Sequence, residues 1–157
     1  MDMIPAAISQ LPAVSFKKGD GLLAEGLEGS AIYFLESGSV EVRKDNVVIT
    51  KVREKGAMFG EMSVLLGCPL TATVCASSDV TCRVATEPMA FLTEHPDVMI
   101  YIARILARRL ESLNRYLVDV KQQLRDQDGH VGMVDEVLEA LMNRHPRQIK
   151  VPHTAGE

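Results

Sequence analysis

The residues best suited to chemistry lie in one stretch, Phe59-Gly60-Glu61-Met62-Ser63-Val64-Leu65-Leu66-Gly67-Cys68-Pro69-Leu70-Thr71-Ala72-Thr73-Val74. The pattern reads as a strand end, a glycine that lets backbone approach a ligand, a short helix, a second turn and another strand. Backbone N–H groups at the start of such a helix point outward and attract an anion. Glu61 cannot hold a phosphate, but its carboxylate can accept hydrogen bonds from a sugar hydroxyl. A glutamate in a helical first turn also has a plainer role, complementing the helix dipole.

Other chemistries find little support. The four histidines, His95, His130, His145 and His153, all follow the strand-like region and none has ligand spacing. No nucleophile–base pair and no Gly-x-Ser-x-Gly elbow occurs. A metal-dependent oxygenase on a β-barrel needs clustered histidines and a carboxylate, so catalysis is not expected. Cys68, Cys75 and Cys82 are odd in number and lack a Cys-x-x-Cys. They read as small buried hydrophobes rather than a disulfide framework or zinc site.

The elements that must position the stretch differ along the chain. Eight of the eleven glycines fall between Gly19 and Gly67. They punctuate short strand-like runs at 31–35, 40–42 and 47–49, with Lys44-Asp45-Asn46 as a hairpin turn. Further strands are expected at 72–76 and 80–84, joined by Ser77-Ser78-Asp79. Many short strands with regular glycines suggest a jelly roll or barrel. After Pro96 the texture becomes helical. Met99, Ala103, Leu106, Leu110, Leu113, Leu117, Val120 and Leu124 alternate spacings of four and three, a heptad seam that favours a partner helix over packing within one chain. Gly129 is expected to stop this helix near residue 127. Val131, Val134, Leu138 and Leu141 mark a short amphipathic helix within 128–144, and 145–157 reads as a polar tail.

The whole chain is 157 residues, 46% hydrophobic and 24% charged, the composition of an ordinary globular domain. Seventeen Lys+Arg against twenty-one Asp+Glu give a formal charge of -4, which argues against a broad nucleic-acid or anionic-membrane surface. Aromatics are only 4% and tryptophan is absent, so no stacking platform for single strands is available. The N-terminus lacks a basic n-region and no run of about 18 apolar residues appears. A cytoplasmic protein that does not enter a membrane is expected.

From about Phe16 to Leu124 the chain resembles the cyclic-nucleotide-binding domain of the catabolite-activator and protein-kinase regulatory-subunit superfamily. The resemblance runs through Phe16-Lys17-Lys18-Gly19-Asp20, Glu25-Gly26, Ile32-Tyr33-Phe34-Leu35 and Gly38-Ser39-Val40-Glu41-Val42. It continues through Phe59-Gly60-Glu61-Met62, Ala72-Thr73-Val74, His95-Pro96-Asp97 and Ala107-Arg108-Arg109-Leu110. It implies an α+β fold: a jelly-roll-like β-roll with a long C-terminal dimerisation helix (together residues 1–127) and a short terminal helix. It implies cAMP or cGMP as ligand, no required cofactor, and signalling through the C-terminal helices to an effector protein of unknown identity. The ligand-binding set would be Gly60, Glu61, Met62, Ser63, Leu70, Thr71, Ala72 and Asn114. In it the backbone of Gly60–Met62 faces the cyclic phosphate, Glu61 takes the ribose 2′-hydroxyl, Thr71 donates to a phosphate oxygen and Asn114 caps the base. The homodimer would form through Leu106, Leu110, Leu113, Leu117 and Val120.

Two departures matter. The family's phosphate-pairing arginine falls at position 70, which is Leu70 here. A guanidinium–phosphate bond contributes about 1.5–3 kcal/mol, roughly one to two decades of affinity. Arg83 and Arg53 are the other cations that could reach in. The alternative is a cassette that serves protein interaction or a less anionic effector. The winged helix-turn-helix of the transcription factors has no counterpart, so DNA binding by this chain alone is not expected.

Overall fold

The computed structural model describes residues 3–124 and 131–142. Among the described residues, eight strands form two four-stranded antiparallel sheets. The first sheet has the order β1 (Ala13–Phe16), β8 (Val80–Ala85), β3 (Ile32–Ser37), β6 (Met58–Phe59). The second has the order β2 (Gly21–Leu23), β7 (Thr73–Ala76), β4 (Val40–Lys44), β5 (Val47–Val52). Period-two alternation sends Leu35, Val40, Val74, Ala76, Val80, Cys82 and Val84 into one shared core between the sheets. This is the β-roll; the segment Gly60–Ala72 between β6 and β7, the cassette, carries one short helix.

The expected strands are present; β3, β4, β5 and β8 run a little further than their sequence signals, while β7 starts one residue later than expected. The β4–β5 hairpin turns at Asp45 and Asn46, whose φ values of 50° and 63° both lie in the left-handed region that a tight hairpin turn demands. Three short strands, β1, β2 and β6, carried too little alternation to be read from sequence. The helices are α1 (Ala6–Ser9), α2 (Glu61–Leu66), α3 (Pro88–Glu94), α4 (Pro96–Gln123) and α5 (Val131–Met142). Pro88 and Pro96 occupy first-turn positions, where a missing N–H costs nothing. The expected helix end near 127, the stop at Gly129 and the tail at 145–157 lie outside the described residues.

The fold comprises two units that part between Ile102 and Ala103. In the first, the start of α4 is anchored on the roll: Val98, Tyr101 and Ile102 are buried, and the Tyr101 hydroxyl donates to the Gly56 carbonyl at 2.9 Å. In the second, α4 and α5 are tied by the Lys121–Asp135 ion pair. Leu106, Leu117, Val120 and Leu124 are half-buried there, while Leu110 and Leu113 remain exposed. Among the described residues no helix is long and apolar enough to cross a membrane.

Candidate functional site

The cassette begins at Gly60, which caps α2 with φ +85°. A β-carbon at Gly60 would stand 2.6 Å from the Ala31 carbonyl oxygen, so both conformation and space exclude a side chain there. Glu61 follows as the first residue of α2 and is buried, at 4% exposure. A carboxylate is rarely buried without a purpose. The N–H groups of Glu61, Met62 and Ser63 belong to the first turn, which has no intrahelical acceptor for them. Met62 turns its side chain to solvent.

Ser63 has a structural task. Its hydroxyl donates to the Cys68 carbonyl at 2.5 Å, and its own carbonyl accepts from the N–H of Gly67 and, at 3.3 Å, of Cys68. These bonds close α2 and fold the chain back towards Leu70. Leu70 is buried, at 7% exposure. Its N–H donates to the Leu27 carbonyl at 2.8 Å and its carbonyl accepts from the Gly26 N–H at 2.9 Å. Thr71 and Ala72 are half-buried and lead into β7.

Both ends of the cassette therefore meet on one segment, residues 29–31. Gly60 abuts Ala31, while Leu70 and Ser63 abut Gly29. A cleft of about 390 Å³ opens beside this seam, with Leu23, Leu27, Glu28, Tyr33, Leu70 and Thr73 among its walls. Sequence reasoning did not place residues 27–30 at the site, and Gly26 entered only through the family resemblance. The glycines here looked like loop punctuation, and nothing local shows which strand or helix a loop glycine will touch.

The structure thus brings Gly60, Glu61, Met62, Ser63, Leu70, Thr71 and Ala72 into one unit. Asn114 belongs to the other unit, half-buried on α4, with a buried Oδ1 that has no hydrogen-bond partner among the described residues. Of the two alternative cations, Arg83 is committed elsewhere. Its guanidinium grips Glu36 Oε1 at 2.9 and 3.1 Å and donates to the Leu11 carbonyl at 3.0 Å. Arg53 is exposed just past the end of β5. Among the described residues no cluster of histidine, cysteine and carboxylate side chains suits a metal.

Comparison with known proteins agrees with this geometry. The profile of the cyclic nucleotide-binding domain family matches residues 13–91, half of the chain and all of the roll from β1 into α3. The chain belongs to that family. It is 29% identical over 126 residues to the CRP-like cAMP-activated global transcriptional regulator of Mycobacterium tuberculosis, covering 74% of this chain and 55% of that one. The chain thus spans about half the length of that relative. Among solved structures, PKAR CBD2 with bound Sp-2Cl-cAMPS superposes with a TM-score of 0.54 at 26% identity, covering 71% of this chain and 80% of that one. The Thermus thermophilus catabolite activator protein shares the fold, with a TM-score of 0.60 at 24% identity over 78% of this chain and 67% of that one. The Mycobacterium tuberculosis relative is a transcriptional regulator by name.

Proposed function

We propose that the chain is a non-enzymatic regulatory module that takes a cyclic nucleotide, cAMP or cGMP, into the cassette Gly60–Ala72 and signals its occupancy through the C-terminal helices. The observation that carries this reading is Glu61. It is a buried carboxylate at the first position of α2, directly after a left-handed Gly60 seated against Ala31. That arrangement presents a hydroxyl-binding oxygen beside first-turn N–H groups, which suits a sugar joined to a phosphate. In this reading the module is a cytoplasmic homodimer joined through Leu106, Leu110, Leu113, Leu117 and Val120. It acts on an effector protein and does not bind DNA by itself. Nucleotide entry biases a two-state arrangement of the helices.

A second reading rests on Leu70. Leu70 is buried at the sequence position where the resemblance puts the family's arginine, which favours a protein-interaction module or a less anionic effector. Isothermal titration calorimetry with cAMP and cGMP separates the two. Saturable binding near one nucleotide per chain, weakened by Glu61→Ala in a protein that still unfolds cooperatively, is expected. No heat from either nucleotide at millimolar concentration would establish the second reading in its place.

A further inference from the structure

With Leu70 in the cassette and Arg83 bound to Glu36 and Leu11, a phosphate in this site would need its positive charge from another element. Strand β4 provides one. Val40 pairs with Ala76 and Val42 with Val74. Val40, Val74 and Ala76 are buried in the roll core, and Val42 packs on it. Lys44 is the last residue of β4, one past Arg43, which pairs with Thr73 at the start of β7. Its side chain is exposed at the rim of the roll and reaches back to the last residues of the cassette.

Its contacts place the ammonium there. Lys44 Nζ donates to the Thr71 carbonyl at 2.9 Å and lies 3.8 Å from Glu25 Oε1. Glu25 is held in turn, accepting the Asp45 N–H at 3.1 Å and donating its own N–H to Thr73 Oγ1 at 3.0 Å. An ammonium has three protons, and the Thr71 carbonyl takes one of them. The Lys44 side chain is half exposed, on a flexible four-carbon stem.

We propose that Lys44 supplies the positive charge opposite the cyclic phosphate in this cassette, with Glu25 as its resting counter-ion. The assignment rests on the cyclic-nucleotide reading above. It makes the site selective for a cyclic monophosphate over the corresponding uncharged nucleoside. It also makes affinity more salt-dependent than a buried guanidinium would, because the charge is compact and partly solvated.

The test is calorimetric titration of cAMP into the full chain at low and high salt, with adenosine as the uncharged comparison. Lys44→Met keeps the apolar stem and is expected to weaken cAMP about tenfold at low salt, with a smaller loss at high salt. Adenosine affinity should stay unchanged. Lys44→Arg should retain cAMP binding and Glu25→Gln should tighten it, because the counter-ion no longer competes. Arg83→Met should leave affinity as it is. Wild-type binding of cAMP that Lys44→Met leaves intact in both affinity and salt slope would overturn the role of Lys44 alone. Absence of wild-type binding would overturn the cyclic-nucleotide reading and this assignment together.

Discussion

Leu70 lies directly against Gly29: a β-carbon on that glycine would stand 2.7 Å from Leu70 Cδ2, and equally close to Ser63 Oγ. The two backbone bonds from Leu70 to Gly26 and Leu27 hold the leucine in that position. The residue that departs from the family's arginine is therefore a packed part of the protein. Full burial of a leucine contributes about 1.5–3 kcal/mol, and Leu70 has almost all of it. Leu70 is an apolar strut between a loop and the cassette.

That contact makes Gly29 a sensitive position although its backbone is unstrained. Gly29→Ala should destabilise the protein by about 1–3 kcal/mol, the usual cost of overpacking. The obstacle is the end of a side chain and not backbone, so removing it should help. Pairing Gly29→Ala with Leu70→Val is expected to cost less than the sum of the two single changes. Urea unfolding of the four proteins of this cycle measures the coupling, and strict additivity would show that the two residues do not press on each other.

Gly60 and Gly19 allow a sharper comparison. Both have positive φ, +85° and +94°, but a side chain at Gly19 would meet nothing within 4 Å, whereas one at Gly60 meets the Ala31 carbonyl. Gly19→Ala should cost only the left-handed strain of about 1–2 kcal/mol. Gly60→Ala adds a backbone collision and is expected to lower the urea midpoint clearly further. Equal midpoints would mean that the cassette entrance tolerates movement away from Ala31.

How far such features could be read in advance depends on their range. The β3, β4, β7 and β8 segments were legible because alternation and glycine spacing are local signals. The same holds for α4, whose heptad spacing persists over many turns, and for Gly60-Glu61, which stand together in the chain. The partners of the cassette were not legible. Gly29 meets Leu70 across 41 positions and Lys44 reaches Thr71 across 27, and only the folded topology brings those pairs together. Lys44 read simply as a hairpin-turn residue, since nothing nearby in sequence shows which face its side chain will leave from. Arg83 is one of two cations that the sequence alone leaves able to reach in, and its strand places it beside Glu36.

The helical seam gives a prediction about assembly. Leu110 and Leu113, on the seam of α4, are 42% and 44% exposed. An apolar stripe left open on a long helix is expected to pair with its copy in a dimer. Leu113→Glu should convert that dimer to monomer in light scattering while leaving the circular dichroism of the roll unchanged. An unaltered mass would remove the seam from the interface.

Cys82 supplies a pH signature from the heart of the roll. It is fully buried in β8, and burial pushes its thiol up to about 11 from an ordinary value of 9.0. Below pH 9 the thiol is neutral in both folded and unfolded chains, and Cys82 adds no pH dependence. Above that, the unfolded chain loses the proton while the folded one keeps it, so stability falls as pH rises from about 9 towards about 11. A shift of that size corresponds to a loss of about 2–3 kcal/mol across the window. Lysines and tyrosines titrate nearby, so the informative quantity is the difference between wild type and Cys82→Ala. The variant should start lower by about 1 kcal/mol from its small cavity and then decline less steeply over this range. Parallel urea-midpoint curves for the two proteins would mean that the thiol ionises as readily inside the roll as outside it.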